Sequence, residues 1–140
     1  MKKIKLTTFI LSLLFASHTF AAPHFQIQMQ NRGDKNATVT FQSVVGNVSL
    51  DPGLNDNTPL VSHSYSGKYG VVIEPLDEKS NFNIVFKGEK ECTFNVAFYA
   101  PARPKITQYG LGCYGGGYQI IDNGHTLLLY ISDIKMIKKN

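Results

Sequence analysis

The sequence predicts an all-β protein, a single-domain antiparallel β-sandwich of the immunoglobulin-like kind with about eight or nine short strands. A small β-barrel is the alternative. Three observations carry this. Apolar residues recur with a period of two in short runs. Clusters of Gly, Pro, Asn and Asp separate those runs at short intervals. No stretch beyond the first residues sustains a helical period, an internal repeat or a low-complexity linker.

The first residues read as a secretory signal peptide. Lys2, Lys3 and Lys5 form the charged start, Leu6 to Phe15 the short apolar core, and Thr19-Phe20-Ala21 the small-residue site, with cleavage expected after Ala21. The apolar run is shorter than the roughly 20 residues of a spanning helix. The expected organisation is therefore a leader over residues 1–21, the sandwich over 22–134 and a basic tail over 135–140. The Met-Lys-Lys start is of a bacterial kind and predicts export in a Gram-negative cell, to the periplasm or onward to the medium.

Removing the leader leaves 119 of the 140 residues, about one domain. It also removes three lysines, so the whole-chain charge of +4 falls to about +1. Lys135, Lys138 and Lys139 lie in the last six positions, which leaves the body near neutral. The basic sequence is thus no argument for a nucleic-acid partner.

In order, Phe25, Ile27 and Met29 alternate with glutamines over His24–Gln30, predicting a half-buried strand. Asn31–Asn36 reads as a polar turn containing Arg32-Gly33-Asp34, and Ala37–Val45 as a second strand that pairs with the first in a hairpin. Gly46–Pro59 is the longest irregular stretch, with a turn at Asp51-Pro52-Gly53. Leu60–Tyr65 and Tyr69–Glu74 read as short strands around Ser66-Gly67-Lys68. After a charged turn at Asp77–Ser80, Phe82–Lys87 alternates again, with Phe82, Ile84 and Phe86 inward.

Cys92 and Cys113 flank the loop Ala100–Lys105. In an exported chain two cysteines most simply form one disulfide. Folding that loop as a hairpin puts Cys92 opposite Cys113, Phe94 opposite Leu111, Val96 opposite Tyr109 and Phe98 opposite Thr107, so a cross-strand disulfide is expected to lock the register. The next turn, Asn123-Gly124, pairs Tyr118 with Leu129 and Ile120 with Leu127. The two hairpins place their apolar residues on opposite parities, which predicts a bulge or bend within Gly115–Gly117.

The residues that carry chemistry are few. Gly110-Leu111-Gly112-Cys113-Tyr114-Gly115 matches the letters of a dinucleotide-binding turn, but β-type sequence follows where that motif needs a helix. His24, His63 and His125 lack the spacing of a zinc site. Asp51, Asn55, Asp56 and Asn57 lack the EF-hand spacing. Arg32-Gly33-Asp34 is ordinary turn chemistry, and no nucleophile elbow or paired-acid set is present. A non-enzyme without cofactor or metal is expected.

The binding surface expected instead centres on Tyr109, Tyr114 and Tyr118, whose rings offer apolar faces with polar tips, together with the Gly46–Pro59 loop. Its partner is a protein or an anionic lipid surface, and Lys135, Lys138 and Lys139 are expected to assist on the latter. A second reading starts from Ser66-Gly67-Lys68-Tyr69. It resembles the Ser-Gly-x-x-Tyr loop of bacterial periplasmic lysozyme inhibitors, small exported β proteins with a disulfide, with the tyrosine one residue earlier here. That resemblance implies an inhibitor or adaptor of an envelope enzyme, with Ser66, Gly67, Lys68 and Tyr69 as the inserted loop.

Overall fold

A computed structural model describes residues 25–73, 79–98 and 104–133. The expected leader, the Asp77-Glu78 part of the charged turn, residues 100–103 of the Cys-flanked loop, and Lys135, Lys138 and Lys139 lie outside the described residues. Ten strands are described: β1 (Phe25–Asn31), β2 (Ala37–Val45), β3 (Val48–Asp51), β4 (Thr58–Leu60), β5 (Ser64–Ile73), β6 (Ser80–Lys87), β7 (Glu91–Phe98), β8 (Lys105–Tyr109), β9 (Gly117–Ile121) and β10 (Thr126–Ile131). They form two five-stranded sheets, in the orders β3-β5-β1-β10-β9 and β4-β2-β6-β7-β8. Neither sheet closes on itself, so the architecture is the sandwich and not the barrel.

The period of two explains the core. Ile27 and Met29 of β1, Val71 and Ile73 of β5, and Leu127 and Leu129 of β10 point inward from the first sheet. Val39 of β2, Phe82, Ile84 and Phe86 of β6, and Phe94, Val96 and Phe98 of β7 meet them from the second. Phe25 and Phe98 join the sheets edge to face, with ring centroids 5.4 Å apart. Each such buried side chain contributes about 2 kcal/mol of transfer free energy, which opposes the conformational entropy of ordering the strands.

The expected hairpin of β1 with β2 does not form. β1 runs parallel to β10 and antiparallel to β5, whereas β2 lies between β4 and β6 in the other sheet. The connection crosses between layers and is anchored by Asn31, which is 1% exposed. Its amide donates to the carbonyls of Lys35 (2.8 Å) and Leu60 (3.1 Å), and its side-chain oxygen accepts the Gly33 N–H (2.9 Å). Alternation specifies which face is buried and is silent on which sheet a strand joins.

The break expected at Ser66-Gly67-Lys68 is absent: β5 starts at Ser64 and runs unbroken to Ile73, whereas Leu60, expected to open the first of the two strands, ends β4. The irregularity there is a bulge: the β1–β5 register shifts between Gln28 and Gln30. Ser66 Oγ accepts the Met29 N–H at 2.9 Å, and the Gln28 side chain donates to the Ser66 carbonyl, also at 2.9 Å. Gly46–Pro59 is also less irregular than expected, since it contains β3 and the first residues of β4.

The disulfide joins Cys92 and Cys113, but not as a cross-strand pair. The β7–β8 ladder pairs Phe94 with Gln108 and Val96 with Ile106, three residues from the expected register. β8 ends at Tyr109, and a 3-10 turn over Leu111–Cys113 swings Cys113 back onto β7, where the two Cα atoms are 4.7 Å apart. Glycine makes the turn. Gly110 has φ +117°, a conformation L side chains rarely adopt, and a Cβ on Gly112 would lie 2.6 Å from the Lys90 carbonyl oxygen. The parity conflict is resolved on this segment: the chain leaves the second sheet after β8 and enters the first at β9.

The last hairpin matches its expectation. Tyr118 pairs with Leu129 and Ile120 with Leu127. Asn123 (φ 55°, ψ 34°) and Gly124 (φ 89°) take the left-handed conformations of a type I′ turn, closed by the His125 N–H to the Asp122 carbonyl at 3.1 Å.

Candidate binding flank

Each sheet ends in an edge strand on the same side of the sandwich. β8 closes the second sheet and β9 the first, and Ile106 and Ile120 line one small cleft between them. Over this flank five large side chains project into solvent: Tyr109 (56% exposed), Leu111 (72%), Tyr114 (64%), Tyr118 (46%) and Ile120 (55%).

They arise in three ways. Tyr109 stands opposite Thr93, on the outer face of the second sheet. Leu111 and Tyr114 project from the 3-10 turn and the residue after it, a segment the disulfide pins to β7. Tyr118 and Ile120 share the face of the buried Leu129 and Leu127, yet are exposed; among the described residues the opposite sheet ends at β8. Sequence reasoning singled out Tyr109, Tyr114 and Tyr118 and missed Leu111 and Ile120. Ile120 was assigned to an inward face, and alternation carries no signal that the strand lies beyond the cover of its partner layer.

The Gly46–Pro59 loop does not join this surface. β3, which lies within it, and β4, which begins within it, are the edge strands of the opposite flank. Nor do Ser66, Gly67, Lys68 and Tyr69 form an inserted loop, for all four lie inside β5. Ser66 is engaged with the β1 backbone, Tyr69 packs partly buried against the core, and Lys68 pairs with Asp122. The hydrogen bond from Lys68, with a second from Thr126, holds the Asp122 carboxyl below its usual range.

At one end of the sandwich a pocket of about 470 Å³ lies beside the 3-10 turn, walled by Gly33, Gly88, Gly112, Lys35, Glu89 and Asp133 among others. Glycines in three separate turns were the only trace of it in the sequence. Of its charged groups, Lys35 pairs with Glu89, whose carboxyl is lowered mainly by that hydrogen bond, and Asp133 accepts the Asp34 N–H through both oxygens (3.0 and 2.9 Å), while Lys90 also lines the wall. In Arg32-Gly33-Asp34 the first two residues are folded against the body, while the Asp34 side chain is exposed. The Arg32 guanidinium stacks 3.6 Å over the Tyr130 ring, Gly33 is buried, and Asp34 meets His63 at 2.7 Å.

Among the described residues no three His, Cys, Asp or Glu side chains come together as a metal site. No helix among them is long and apolar enough to cross a membrane. Comparison with protein-family models and with curated proteins finds no match.

Proposed function

We propose that this chain is a small exported, non-catalytic binding protein, and that it holds a protein partner with Tyr109, Leu111 and Tyr114. The observation that carries the reading is the exposure of these three apolar side chains within six residues, on a segment held by the Cys92–Cys113 disulfide. Tyrosine and leucine presented on a rigid support lose little entropy on binding and bury much apolar area, the character of interface anchors. Export rests on the leader pattern of residues 1–21, and a buried disulfide suits an oxidising compartment.

The test has two steps. Fractionation of the producing cell locates the mature chain in periplasm, membranes or medium, and so selects the material to probe. Capture from that material then compares the native chain with a Tyr109→Ser/Leu111→Ser/Tyr114→Ser variant. The reading predicts a saturable partner retained by the native chain and lost from a variant that keeps its thermal transition. Equal capture by both chains contradicts it, and so does binding that tracks anionic vesicles irrespective of the three residues.

A further inference from the structure

β9 differs from the other three edge strands. β3 is four residues long and ends at Asp51-Pro52, β4 is three residues and contains Pro59, and β8 starts at Lys105. Short length, proline and charge are the devices that stop an edge from recruiting another strand. β9, Gly117-Tyr118-Gln119-Ile120-Ile121, has five residues with no charge and no proline. It pairs with β10 on one side and with no described strand on the other. Its two core-facing side chains, Tyr118 and Ile120, are 46% and 55% exposed.

We propose that β9 pairs antiparallel with β9 of a second copy of this chain, making the mature protein a two-fold dimer with one continuous first sheet. The strand is self-complementary when the axis passes beside Gln119. Gln119 then faces Gln119 of the second copy, and Tyr118 faces Ile120 in both directions. Gly117 meets Ile121 at each end. Aromatic–β-branched pairs are among the favourable cross-strand neighbours. No charge meets a like charge across this register. Every pair keeps its parity, so Tyr118 and Ile120 of both copies lie on the core side, where the opposite layer has run out. A C2 contact of this kind closes on itself and does not propagate into a fibre. This dimer uses residues other than the three assigned to the protein partner, and it presents that trio twice, which raises avidity without a new contact.

The experiment uses the mature chain with its disulfide intact and no added partner. Sedimentation velocity from micromolar to millimolar concentration should give twice the monomer mass for the native chain and the monomer mass for Ile120→Lys, which places a charge on the pairing face. Gln119→Cys tests register independently of whether that variant folds well. Directly opposed residues in an antiparallel pair bring their Cα atoms to about 5 Å, within disulfide reach. Mild oxidation should therefore join Gln119→Cys into a covalent dimer and leave Ser49→Cys, on the opposite flank, monomeric. A native chain that stays monomeric at the highest concentration overturns the proposal. So does a dimer that survives Ile120→Lys while Gln119→Cys fails to cross-link.

Discussion

Gly112 shows how one position without a side chain decides a tertiary feature. A methyl group there would overlap the Lys90 carbonyl oxygen, just before β7, and approach the carbonyl carbon of Glu91, the first residue of β7, to 2.8 Å. Gly112→Ala should cost about 1–3 kcal/mol by overpacking. It should also slow oxidation of Cys92 with Cys113, measurable as residual free thiol after refolding. Asp122 gives a prediction of a different kind. Its folded carboxyl is held below its ordinary value by Lys68 and Thr126, so its contribution is present above the unfolded carboxylate range and is lost as pH falls through the folded value. An NMR titration should show the Asp122 midpoint rising toward the ordinary value in Lys68→Met. High salt should weaken the Coulomb part of the shift, since the pair is solvent-exposed. An unchanged midpoint would show that the Lys68 pair does not form in solution. At this scale the sequence was legible where turn chemistry is strict: Asn123-Gly124 predicted its register correctly because few residue pairs suit the two central positions of a type I′ turn, and here Asp122 just before them also has positive φ. It was opaque at Ser66-Gly67, where the same small residues serve a bulge inside a strand.

Among the elements, the β7–β8 pair and the turn beyond it hold the account together. The disulfide spans a sequence separation of 21 and closes the segment from outside the ladder. In the chain-entropy model such a closure is worth about 3 kcal/mol. Replacing both cysteines with serine should lower the denaturation free energy by roughly that amount and loosen residues 110–116 first. Hydrogen exchange should register this as faster exchange of the Gly116 N–H, which is bonded to the Cys113 carbonyl at 2.8 Å. The cysteine pairing was legible because two cysteines in an exported chain leave one simple arrangement. The register was not. A three-residue shift trades one plausible set of apolar pairs for another, and the choice between them was made by Gly110 and Gly112 leaving the strand early. The parity conflict at Gly115–Gly117 pointed to a break of some kind. The alternation could not say that the break moves the chain from one sheet to the other.

For the whole molecule, the alternating pattern was enough to recover a sandwich, because strands such as β1, β3 and the first half of β6 alternate buried with less buried residues, although β6, β7 and β10 also bury runs of three or four in a row. Strand order was beyond it. β1 and β2 are neighbours in sequence and sit in different layers, while β1 and β10 are the farthest apart and lie side by side in parallel. Their contacts are decided by crossing connections such as the one anchored on Asn31. Strand order in turn decides which residues can form a surface. It separates the Gly46–Pro59 loop from the tyrosines and collects Tyr109, Leu111, Tyr114, Tyr118 and Ile120 on one flank. Core and flank should respond differently to truncation. Phe94→Ala, at a fully buried ring, should cost about 3–5 kcal/mol. Tyr114→Ala should leave the denaturation midpoint nearly unchanged while weakening partner binding. Comparable losses of stability would place Tyr114 in the core and not on a recognition surface.

The most direct test of the binding flank is site-specific photo-crosslinking in the producing organism, with a photoreactive residue placed at Tyr114 or, as the control, at Ser49 on the opposite edge. The account predicts one discrete adduct from position 114, competed away by excess native chain and absent from position 49. Equal adducts from both positions, or none from 114 in the compartment where the chain resides, would contradict the assignment of that flank as the recognition surface.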